Sequence, residues 1–439
     1  MERLGIPGKA SDNPFSPTFG VPPVELVGRD DLLTDIGSGL LTGPHDRSYY
    51  SVIMGQRGSG KTVALTEMEN RAKQDGWIVL SVDAATEGLL ERLNQAIYQA
   101  TRTYVGLDSL DTRTATTATR KRGVILRGVE LGSSEADYTN LEIKRGLREQ
   151  LTELVKLAES NGSSVLLTID ELQGIDRTEG RRLSNDLQHI RRDGLPLAFL
   201  GAGLSEAKNT ILLDKRMSFF KRCEQYDMPS INFPDAWAGI KIPVYGANGS
   251  ITDDALKVAA ESVDGLPYKL QLIGYNAWKL AHAPNNTIDM GAVHNAIDYA
   301  NSIVDRDIGI LSFNDLSKTG KLCLASIAVL GRHAALTDLI EVSGINFNSA
   351  KDSLRRLAVT EYITQHGDTY SLTNAVSTRV IYQQFGLNPQ NPLASFREHM
   401  IHESDFQSRG ETPLCNKWMN RAKAYCILNA EHTGGCRSK

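Results

Sequence analysis

The sequence predicts an α/β fold: a parallel sheet covered by helices, followed by a helical region and a small unit of helices with a hairpin. Short apolar runs alternate with helical patterns from about residue 49 to residue 228, as is typical of a parallel sheet. A glycine-rich octapeptide, GQRGSGKT, follows the first apolar run and opens a helix. Beyond about Pro243 the strand signal stops, so the rest of the chain is predicted to be mainly helical.

Length, composition and charge restrict the classes of protein to which this chain can belong. The 439 residues correspond to about three domains, and 41% hydrophobic with 23% charged residues is typical of a soluble globular protein. The net charge of −4 excludes a protein that coats nucleic acid by its overall charge, although a local basic patch stays open. No apolar run reaches the roughly 18 residues of a membrane span, and MERLGIPGKA lacks an apolar signal segment. We therefore expect a cytoplasmic protein without membrane contact.

The first two segments of the chain are an N-terminal arm over residues 1–24 and an αβ core over residues 25–243. Five prolines make regular structure unfavourable in the arm, which is predicted to be extended. A polar, threonine-rich stretch over about residues 111–140 interrupts the core pattern and is interpreted as an insertion. The core strands are predicted at Tyr49–Met54, Trp77–Val82, Val165–Ile169, Leu197–Leu200 and around Tyr226–Met228.

Three segments follow the core. Residues 244–312 carry helical patterns, with Pro267 at a helix start, and are predicted to form a helical lid. Residues 313–385 contain three helical segments, at Leu322–Leu330, Leu336–Val342 and Ser349–Val359, and a hairpin over Tyr362–Leu372. This combination predicts a winged helix. Residues 386–439 are polar and aperiodic, so they are predicted to be a flexible tail.

The octapeptide matches the pattern G-x-x-x-x-G-K-[ST], which binds the phosphates of a nucleotide. Its residues are Gly55, Gln56, Arg57, Gly58, Ser59, Gly60, Lys61 and Thr62. The glycines let backbone N–H groups turn toward the phosphates, and the helix N-terminus adds its positive end. Lys61 is predicted to reach the β- and γ-phosphates and the Thr62 hydroxyl to bind Mg²⁺. The alternative is a glycine-rich turn without a ligand.

An acidic pair forms the second half of the predicted nucleotide site. Asp170 and Glu171 directly follow the buried strand Val165–Ile169. Asp170 is predicted to hold Mg²⁺ through its water shell, and Glu171 to orient and polarise the attacking water. The pair favours hydrolysis over a kinase reaction, in which a second substrate replaces water. The alternative for Glu171 is a solvated carboxylate at a strand end.

These motifs, in this order, resemble a known family. Val27-Gly28-Arg29-Asp30 ahead of the P-loop, the acidic pair, Gly265-Leu266-Pro267 in the lid and the winged helix look like AAA+ and STAND-type ATPases, near the replication-initiator (origin-recognition) branch. The resemblance covers about Asn13 to Phe385. It implies a P-loop NTPase fold, ATP as the nucleotide and Mg²⁺ as its metal.

The resemblance also implies roles for single residues. Val27, Gly28 and Arg29 would pass beside the adenine, and Pro267 would close over the nucleotide, although helix initiation alone also explains Pro267. Arg222 resembles an arginine finger by position, with an ordinary surface arginine as the alternative. Such a finger acts in trans and therefore implies a homo-oligomer. The sequence departs from the family at the sensor positions, where Ser205 and Lys269 are the candidates.

The winged helix raises two alternatives for partners. A recognition helix over Asn348–Val359 would expose Lys351, Ser353, Arg355 and Arg356 to DNA, with His366 at the wing tip. Over residues 346–372 three basic residues balance three acidic ones, whereas phosphate contacts usually require a basic surplus. A protein partner is therefore favoured, and DNA stays the second alternative.

The sequence thus predicts a Mg²⁺-dependent ATPase in which ATP binding, where the αβ core joins the lid, changes the position of the winged helix. An initiator-like DNA-binding protein regulated by ATP is the second hypothesis. A small-molecule kinase with the same P-loop is the third, and Glu171 argues against it.

Overall fold

The computed structural model describes residues 13–18, 27–105, 146–205, 207–212, 214–281, 287–373, 376–408, 418–419 and 424–425. Most of the predicted arm and the whole predicted insertion lie outside these residues. The chain forms two compact units. The first comprises residues 1–55 and 59–247, and the second comprises residues 56–58 and 248–439. Apart from the tail, which is described below, the predicted division into five segments stays a prediction.

A five-stranded parallel sheet forms the centre of the first unit. Its strands are β1 (Tyr50–Gly55), β2 (Ile78–Asp83), β3 (Val165–Asp170), β4 (Leu197–Leu204) and β5 (Glu224–Asp227). They are arranged in the order β2-β3-β4-β1-β5 and are all parallel. The central strands β1, β3 and β4 are buried along almost their whole length, as expected for a sheet covered on both faces. The predicted α/β fold class is confirmed.

Amphipathic helices cover this sheet. They are α1 (Asp30–Thr42), α2 (Lys61–Gln74), α3 (Leu89–Val105), α4 (Leu147–Ser160), α5 (Arg177–Arg192), α6 (Ser218–Lys221) and α7 (Phe233–Gly246). In α5, buried Leu183, Leu187 and Ile190 recur at helical spacing and face the core, while charged residues occupy the other side. The carboxylate of Asp176 caps this helix by accepting the N–H groups of Thr178 and Glu179.

The second unit begins with a helical part and a small parallel pair of strands. Its elements are β6 (Ser250–Ile251), α8 (Asp253–Glu261), α9 (Pro267–Lys279), β7 (Thr287–Ile288), α10 (Met290–Val304) and α11 (Ile310–Asn314). Pro267 occupies the first turn of α9, where its missing N–H removes no intrahelical bond. Helices are thus present across the segment predicted as the lid. The two-residue strands β6 and β7 are too short to give a sequence signal.

The remaining elements of the second unit surround a separate hydrophobic core. They are α12 (Lys318–Val329), β8 (His333–Ala335), α13 (Leu336–Ser343), α14 (Phe347–Val359), β9 (Ile363–His366), β10 (Thr369–Leu372), α15 (Thr378–Phe385), α16 (Pro392–Ser408), β11 (Trp418–Met419) and β12 (Ala424–Tyr425). β8, β10 and β9 form an antiparallel sheet in that order. The three predicted helices and the hairpin are present, and the interpretation as a winged helix stays a prediction.

Two predictions for this region are wrong. A flexible tail was expected from residue 386 onward, but α16 forms over Pro392–Ser408 and its Phe396 is fully buried, stacked edge-on against Phe385. Ser353 was expected to be exposed on the recognition helix, but it is buried on the inner face of α14. Among the described residues, no helix is both long and apolar enough to cross a membrane.

Candidate functional site

The glycine-rich loop lies between β1 and α2, at the carboxyl edge of the sheet. Gly60 is the N-cap of α2 and has φ of 91°, a left-handed conformation that glycine adopts without strain. The helix therefore begins at Lys61, with its N-terminus directed to the end of the loop. Ser59 is buried, and its hydroxyl oxygen has no hydrogen-bond partner among the described residues. The predicted order of strand, glycine loop and helix is confirmed.

Lys61 and Thr62 occupy the first turn of α2. Lys61 is buried, with 7% of its surface exposed. The Thr62 hydroxyl donates a hydrogen bond of 2.7 Å to Oδ2 of Asp170 at the end of β3. The structure thus brings together the two residues predicted as metal ligands. A hydroxyl and a carboxylate at this distance suit the small, oxygen-preferring Mg²⁺ ion.

Glu171 is placed by an unusual backbone conformation and by Gln173. Its φ of 54° lies in the left-handed region, and its N–H donates to Oδ1 of Asp170 over 2.8 Å. The Gln173 amide nitrogen donates to the Glu171 carboxylate, while the Gln173 oxygen accepts the N–H of Leu204 over 2.8 Å. Gln173 therefore connects the carboxylate of Glu171 to the end of β4. Sequence reasoning missed Gln173, although a polar side chain two residues after Glu171 was a usable signal.

Ser205, the sensor candidate, directly follows β4. β4 lies between β3 and β1, so Ser205 lies at the same sheet edge as Asp170 and the glycine loop. The residue is 4% exposed, and its hydroxyl oxygen has no partner among the described residues. A buried hydroxyl without a partner is unfavourable unless a ligand or water supplies one. The site thus holds two buried, unpaired hydroxyls, those of Ser59 and Ser205.

Val27, Gly28 and Arg29 precede α1. Val27 and Gly28 form a turn, and the buried guanidinium of Arg29 donates to the carbonyl oxygens of Ser59 and Gly28, each over 3.0 Å. Burial lowers the pKa of Arg29 to about 10, while the charge of Asp235 acts in the opposite direction. Arg29 therefore supports the glycine loop directly. The predicted position of these three residues beside the adenine stays a prediction.

Asp235 in α7 is the second residue that sequence reasoning missed. A Cβ atom at Gly28, where φ is 68°, would lie 2.7 Å from Oδ2 of Asp235, so only glycine fits there without displacing this carboxylate. The carboxylate gives Arg29 a nearby opposite charge. More than 200 residues separate Asp235 from Arg29, and no local pattern indicates their contact.

The tip of the glycine loop, Gln56–Gly58, belongs to the second unit. Within that unit, Arg57 forms an ion pair of 2.9 Å with Asp315, and the Gln56 amide donates to the carbonyl oxygen of Glu361 over 3.0 Å. The N–H of Tyr268, next to Pro267, approaches the carbonyl oxygen of Gly58 at 3.5 Å. The closure of Pro267 over a nucleotide stays a prediction. Lys269, the other sensor candidate, is buried and forms an ion pair with Asp264.

Arg222 follows α6 and is exposed. Its side chain forms no hydrogen bond or ion pair with the residues that the structure describes. An exposed guanidinium suits either a finger that acts on a second copy or an ordinary surface arginine, so both alternatives for Arg222 stay open.

Comparison with known proteins gives a family match for part of the first unit. Residues 25–200 match the AAA ATPase domain family. We call this matched part of the chain the AAA ATPase domain. A comparison with curated proteins finds no match.

Two solved structures share the fold of the AAA ATPase domain and of the region that follows it. A Walker-type ATPase of Pyrococcus abyssi is 18% identical, with a TM-score of 0.57, and the alignment covers 81% of this chain and 96% of that one. The ORC2 protein of Aeropyrum pernix, solved in ADPNP and ADP complexes, is 13% identical, with a TM-score of 0.56, and the alignment covers 89% of this chain and 98% of that one. At these identities the similarity is one of fold, and it agrees with the predicted P-loop NTPase core.

The residues of the AAA ATPase domain fit a nucleotide with its metal. Lys61 and the N-terminus of α2 supply positive charge, Thr62 and Asp170 supply oxygen ligands, and the buried hydroxyls of Ser59 and Ser205 lack partners. In the described residues no cluster of three or more histidine, cysteine or acidic side chains could hold a metal ion by itself.

Proposed function

We propose that this protein is a Mg²⁺-dependent ATPase that acts as a nucleotide-driven conformational switch. The contact between the Thr62 hydroxyl and the Asp170 carboxylate carries the proposal, because it brings the two halves of a phosphate and metal site to hydrogen-bond distance. Lys61, which is buried and precedes Thr62, supports the same proposal. An AAA ATPase domain over residues 25–200 gives it the family context.

Each residue of the candidate site has its own role in the proposed hydrolysis. Bound ATP with Mg²⁺ supplies the phosphoanhydride bond that is cleaved and the positive charge opposite its phosphates. Lys61 would bind the β- and γ-phosphates, and Thr62 with Asp170 would hold the metal and its water shell. Glu171 orients the attacking water and accepts its proton on a carboxylate oxygen. Gln173 keeps that carboxylate in place through its hydrogen bonds to Glu171 and Leu204.

The switch is supported by the contacts of the loop tip. Gln56 and Arg57 pair with Glu361 and Asp315, respectively, so residues of the phosphate-binding loop contact residues far along the chain. Nucleotide binding changes the charge beside this loop and therefore favours one arrangement of these contacts over another. We infer that the nucleotide state determines whether the loop tip keeps its contacts with Asp315 and Glu361.

The catalytic assignment is tested with Lys61→Ala and Glu171→Gln. Lys61→Ala is expected to abolish ATP binding or turnover. Glu171→Gln is expected to retain ATP and to slow phosphate release by about 100-fold or more, because general base catalysis contributes roughly 10²- to 10⁴-fold. ATP affinity is measured by calorimetric titration and turnover by release of inorganic phosphate. Lys73→Ala, an exposed lysine on the same helix, is the control and should leave both values unchanged.

The result for Glu171→Gln decides between the hypotheses. Hydrolysis at the unmodified rate in this variant would show that Glu171 is not the base. Phosphorylation of a small molecule with little water-dependent phosphate release would favour a kinase instead. A pull-down with Glu171→Gln held in ATP is the means of identifying a protein partner.

The role of Arg222 is tested by mixing two variants. Arg222→Ala keeps its own nucleotide site, and Lys61→Ala keeps Arg222. If the finger acts in trans, each variant alone is slow, and the mixture recovers part of the activity because one copy supplies the arginine and the other the site. Full activity of Arg222→Ala by itself, or no recovery in the mixture, would contradict a finger in trans.

DNA binding through α14 is the second candidate function. Lys351, Arg355 and Arg356 are exposed on this helix, and His366 is exposed at the hairpin, so these side chains are accessible to a phosphate backbone although the local charge is balanced. Binding to duplex DNA should weaken with salt, strengthen with ATP, and fall in the double variant Arg355→Ala with Arg356→Ala. Absence of binding at low salt would leave a protein partner as the occupant of this surface.

A further inference from the structure

A buried carboxylate lies on α2, about two turns beyond Thr62. Glu69 is 8% exposed, and among the residues that the structure describes no other aspartate or glutamate is buried. A buried carboxylate is unfavourable unless hydrogen-bond donors surround it. None of the functions above uses Glu69, so its burial calls for an explanation of its own.

Two hydroxyls from neighbouring strands supply the hydrogen bonds. The Thr168 hydroxyl on β3 donates to Oε1 of Glu69 over 2.5 Å, and the Ser81 hydroxyl on β2 donates to the same oxygen over 2.8 Å. Ser81 and Thr168 lie opposite each other in the parallel pair of β2 and β3. A single carboxylate oxygen therefore connects α2 to both strands.

The second oxygen of Glu69 has only a weak partner. Oε2 lies 3.9 Å from the ammonium group of Lys73, and the Lys73 side chain is 56% exposed. An exposed ion pair of this length contributes little to stability. The hydrogen bonds to Oε1, rather than an ion pair, therefore determine where the carboxylate lies.

The spacing of these residues relates Glu69 to the predicted metal ligands. On α2, Thr62 and Glu69 are seven residues apart, so they lie on the same face of the helix, about 10 Å apart along its axis. On β3, Thr168 and Asp170 are two residues apart, so their side chains point to the same face of the sheet. The helix and the strand are thus joined twice, by Thr62 with Asp170 and by Glu69 with Thr168.

Two contacts restrict the helix more than one contact does. With the contact between Thr62 and Asp170 alone, α2 could rotate or slide against β3 around that point, and the contact of Glu69 with Thr168 opposes this motion. Mg²⁺ requires its oxygen ligands at about 2.0–2.1 Å in nearly octahedral geometry. A small displacement of Thr62 relative to Asp170 would therefore weaken the metal site.

We propose that Glu69 and Thr168 are positioning residues for the metal of the nucleotide site, because their hydrogen bond holds Thr62 and Asp170 in the relative position that Mg²⁺ requires. Ser81 differs from Thr168, since it joins Glu69 to β2, which carries no predicted metal ligand. The inference rests on the proposed function, because it concerns the Mg²⁺ ion of that site.

The test uses four variants of the full chain. Thr168→Val removes the donor on β3 with little change in volume. Ser81→Ala removes the other donor to the same oxygen and is the matched control. Glu69→Gln keeps an oxygen acceptor at this position, whereas Glu69→Met removes it.

Calorimetric titration measures the affinity for a non-hydrolysable ATP analogue with and without Mg²⁺, and the ratio of the two affinities gives the coupling between metal and nucleotide. In Thr168→Val and Glu69→Met this ratio should fall by about tenfold, the lower end of the usual effect of residues that orient metal ligands. The affinity without Mg²⁺ should stay the same. In Ser81→Ala and Glu69→Gln the ratio should stay within about twofold of the unmodified value, because both keep an acceptor for Thr168.

The unfolding temperature is measured on the same samples, since the loss of a buried hydrogen bond also lowers stability. A purely structural role of the network predicts that Thr168→Val and Ser81→Ala reduce the ratio in proportion to their loss of stability. A positioning role predicts that only Thr168→Val reduces it. If Glu69→Met does not fold, the comparison of Thr168→Val with Ser81→Ala still decides.

An unchanged ratio in Thr168→Val would overturn the inference, and so would equal reductions in Thr168→Val and Ser81→Ala. A ratio in Glu69→Gln as low as in Glu69→Met would also overturn it, because the hydrogen bond would not be the cause. If the unmodified protein does not bind the analogue, or gains no affinity from Mg²⁺, the proposed function fails and the inference fails with it. An unmodified protein with strong Mg²⁺ coupling and an unaffected Thr168→Val variant would contradict the inference alone.

Discussion

Gln173 holds the carboxylate that we assign as the catalytic base, and its replacement should therefore act on turnover. In Gln173→Ala the Glu171 carboxylate loses its amide partner, and the N–H of Leu204 loses its acceptor. We expect kcat to fall about 10- to 100-fold, since small misplacements of a catalytic group cost up to about 10²-fold, while ATP affinity stays nearly constant. Steady-state kinetics on the folded variant checks this. An unchanged kcat with a lower unfolding temperature would show a purely structural role.

Asp307 gives a prediction for pH dependence. It accepts hydrogen bonds from Arg306 over 2.6 Å and from the Tyr268 hydroxyl over 3.2 Å. The hydrogen bond from Arg306 lowers the pKa of Asp307 below its ordinary value of 3.8, and partial burial opposes this. Because the folded state has the lower pKa, the stabilisation is complete above the unfolded value and is lost as the pH falls through the folded value.

The matching experiment follows the unfolding temperature of the wild type and of Asp307→Asn from about pH 6 to about pH 3. The wild type should be the more stable protein near pH 6, and the difference should shrink as the pH falls below about 4. A difference that stays constant to pH 3 would show that ionisation of Asp307 contributes nothing. The Tyr268 hydroxyl donates to Asp307, and Tyr268 lies in the first turn of α9. The same titration therefore also reports on the stability of the contact between Asp307 and α9.

At the scale of elements, α3 depends on a carboxylate from another helix. Oxygens of Glu179 in α5 accept the N–H groups of Leu89 and Leu90 over 3.2 and 3.1 Å and so cap the first turn of α3. We expect Glu179→Ala to reduce the free energy of unfolding by about 1 to 2 kcal/mol, the usual cost of a lost N-cap. Urea denaturation measures it. Glu149→Ala, an exposed first-turn residue of α4, is the control and should change stability by less than about 0.5 kcal/mol.

The sequence predicted the elements whose signals are local. Strands β1 and β3 are continuous apolar runs next to the glycine loop and the acidic pair, so both their positions and their roles could be predicted. β8 could not, because His333–Ala335 has no β-branched residue and becomes a strand only by pairing with β10. The same is true of α16, whose few apolar residues include Phe396, which is buried only because the second core lies beside it.

In the candidate site, too, only the residues with a local sequence signal could be predicted. Lys61, Thr62, Asp170 and Glu171 follow patterns of fixed spacing and were all predicted. Asp235 was not, since its contact with Gly28 joins distant parts of the chain. The carbonyl of Glu361, which accepts from Gln56, carries no side-chain signal at all. Fixed-spacing motifs therefore predict the candidate site residues, whereas the residues that support them depend on the tertiary fold.

At the scale of the whole molecule, the two compact units have separate hydrophobic cores, and we expect them to unfold in separate transitions. Leu167 in β3 and Leu354 in α14 are both fully buried, one in each core. Leu167→Ala and Leu354→Ala should each cost about 2 to 5 kcal/mol and lower one transition by several degrees while leaving the other in place. Differential scanning calorimetry of the full chain resolves the two transitions.

ATP identifies which transition belongs to the AAA ATPase domain. At an ATP concentration of about 100 times the dissociation constant, binding to the folded state adds about 2.7 kcal/mol, so the transition that Leu167→Ala lowers should move to a higher temperature. Lys61→Ala should remove this rise, since it removes a buried cation of the site. A single transition that both leucine variants lower would show that the two units unfold together.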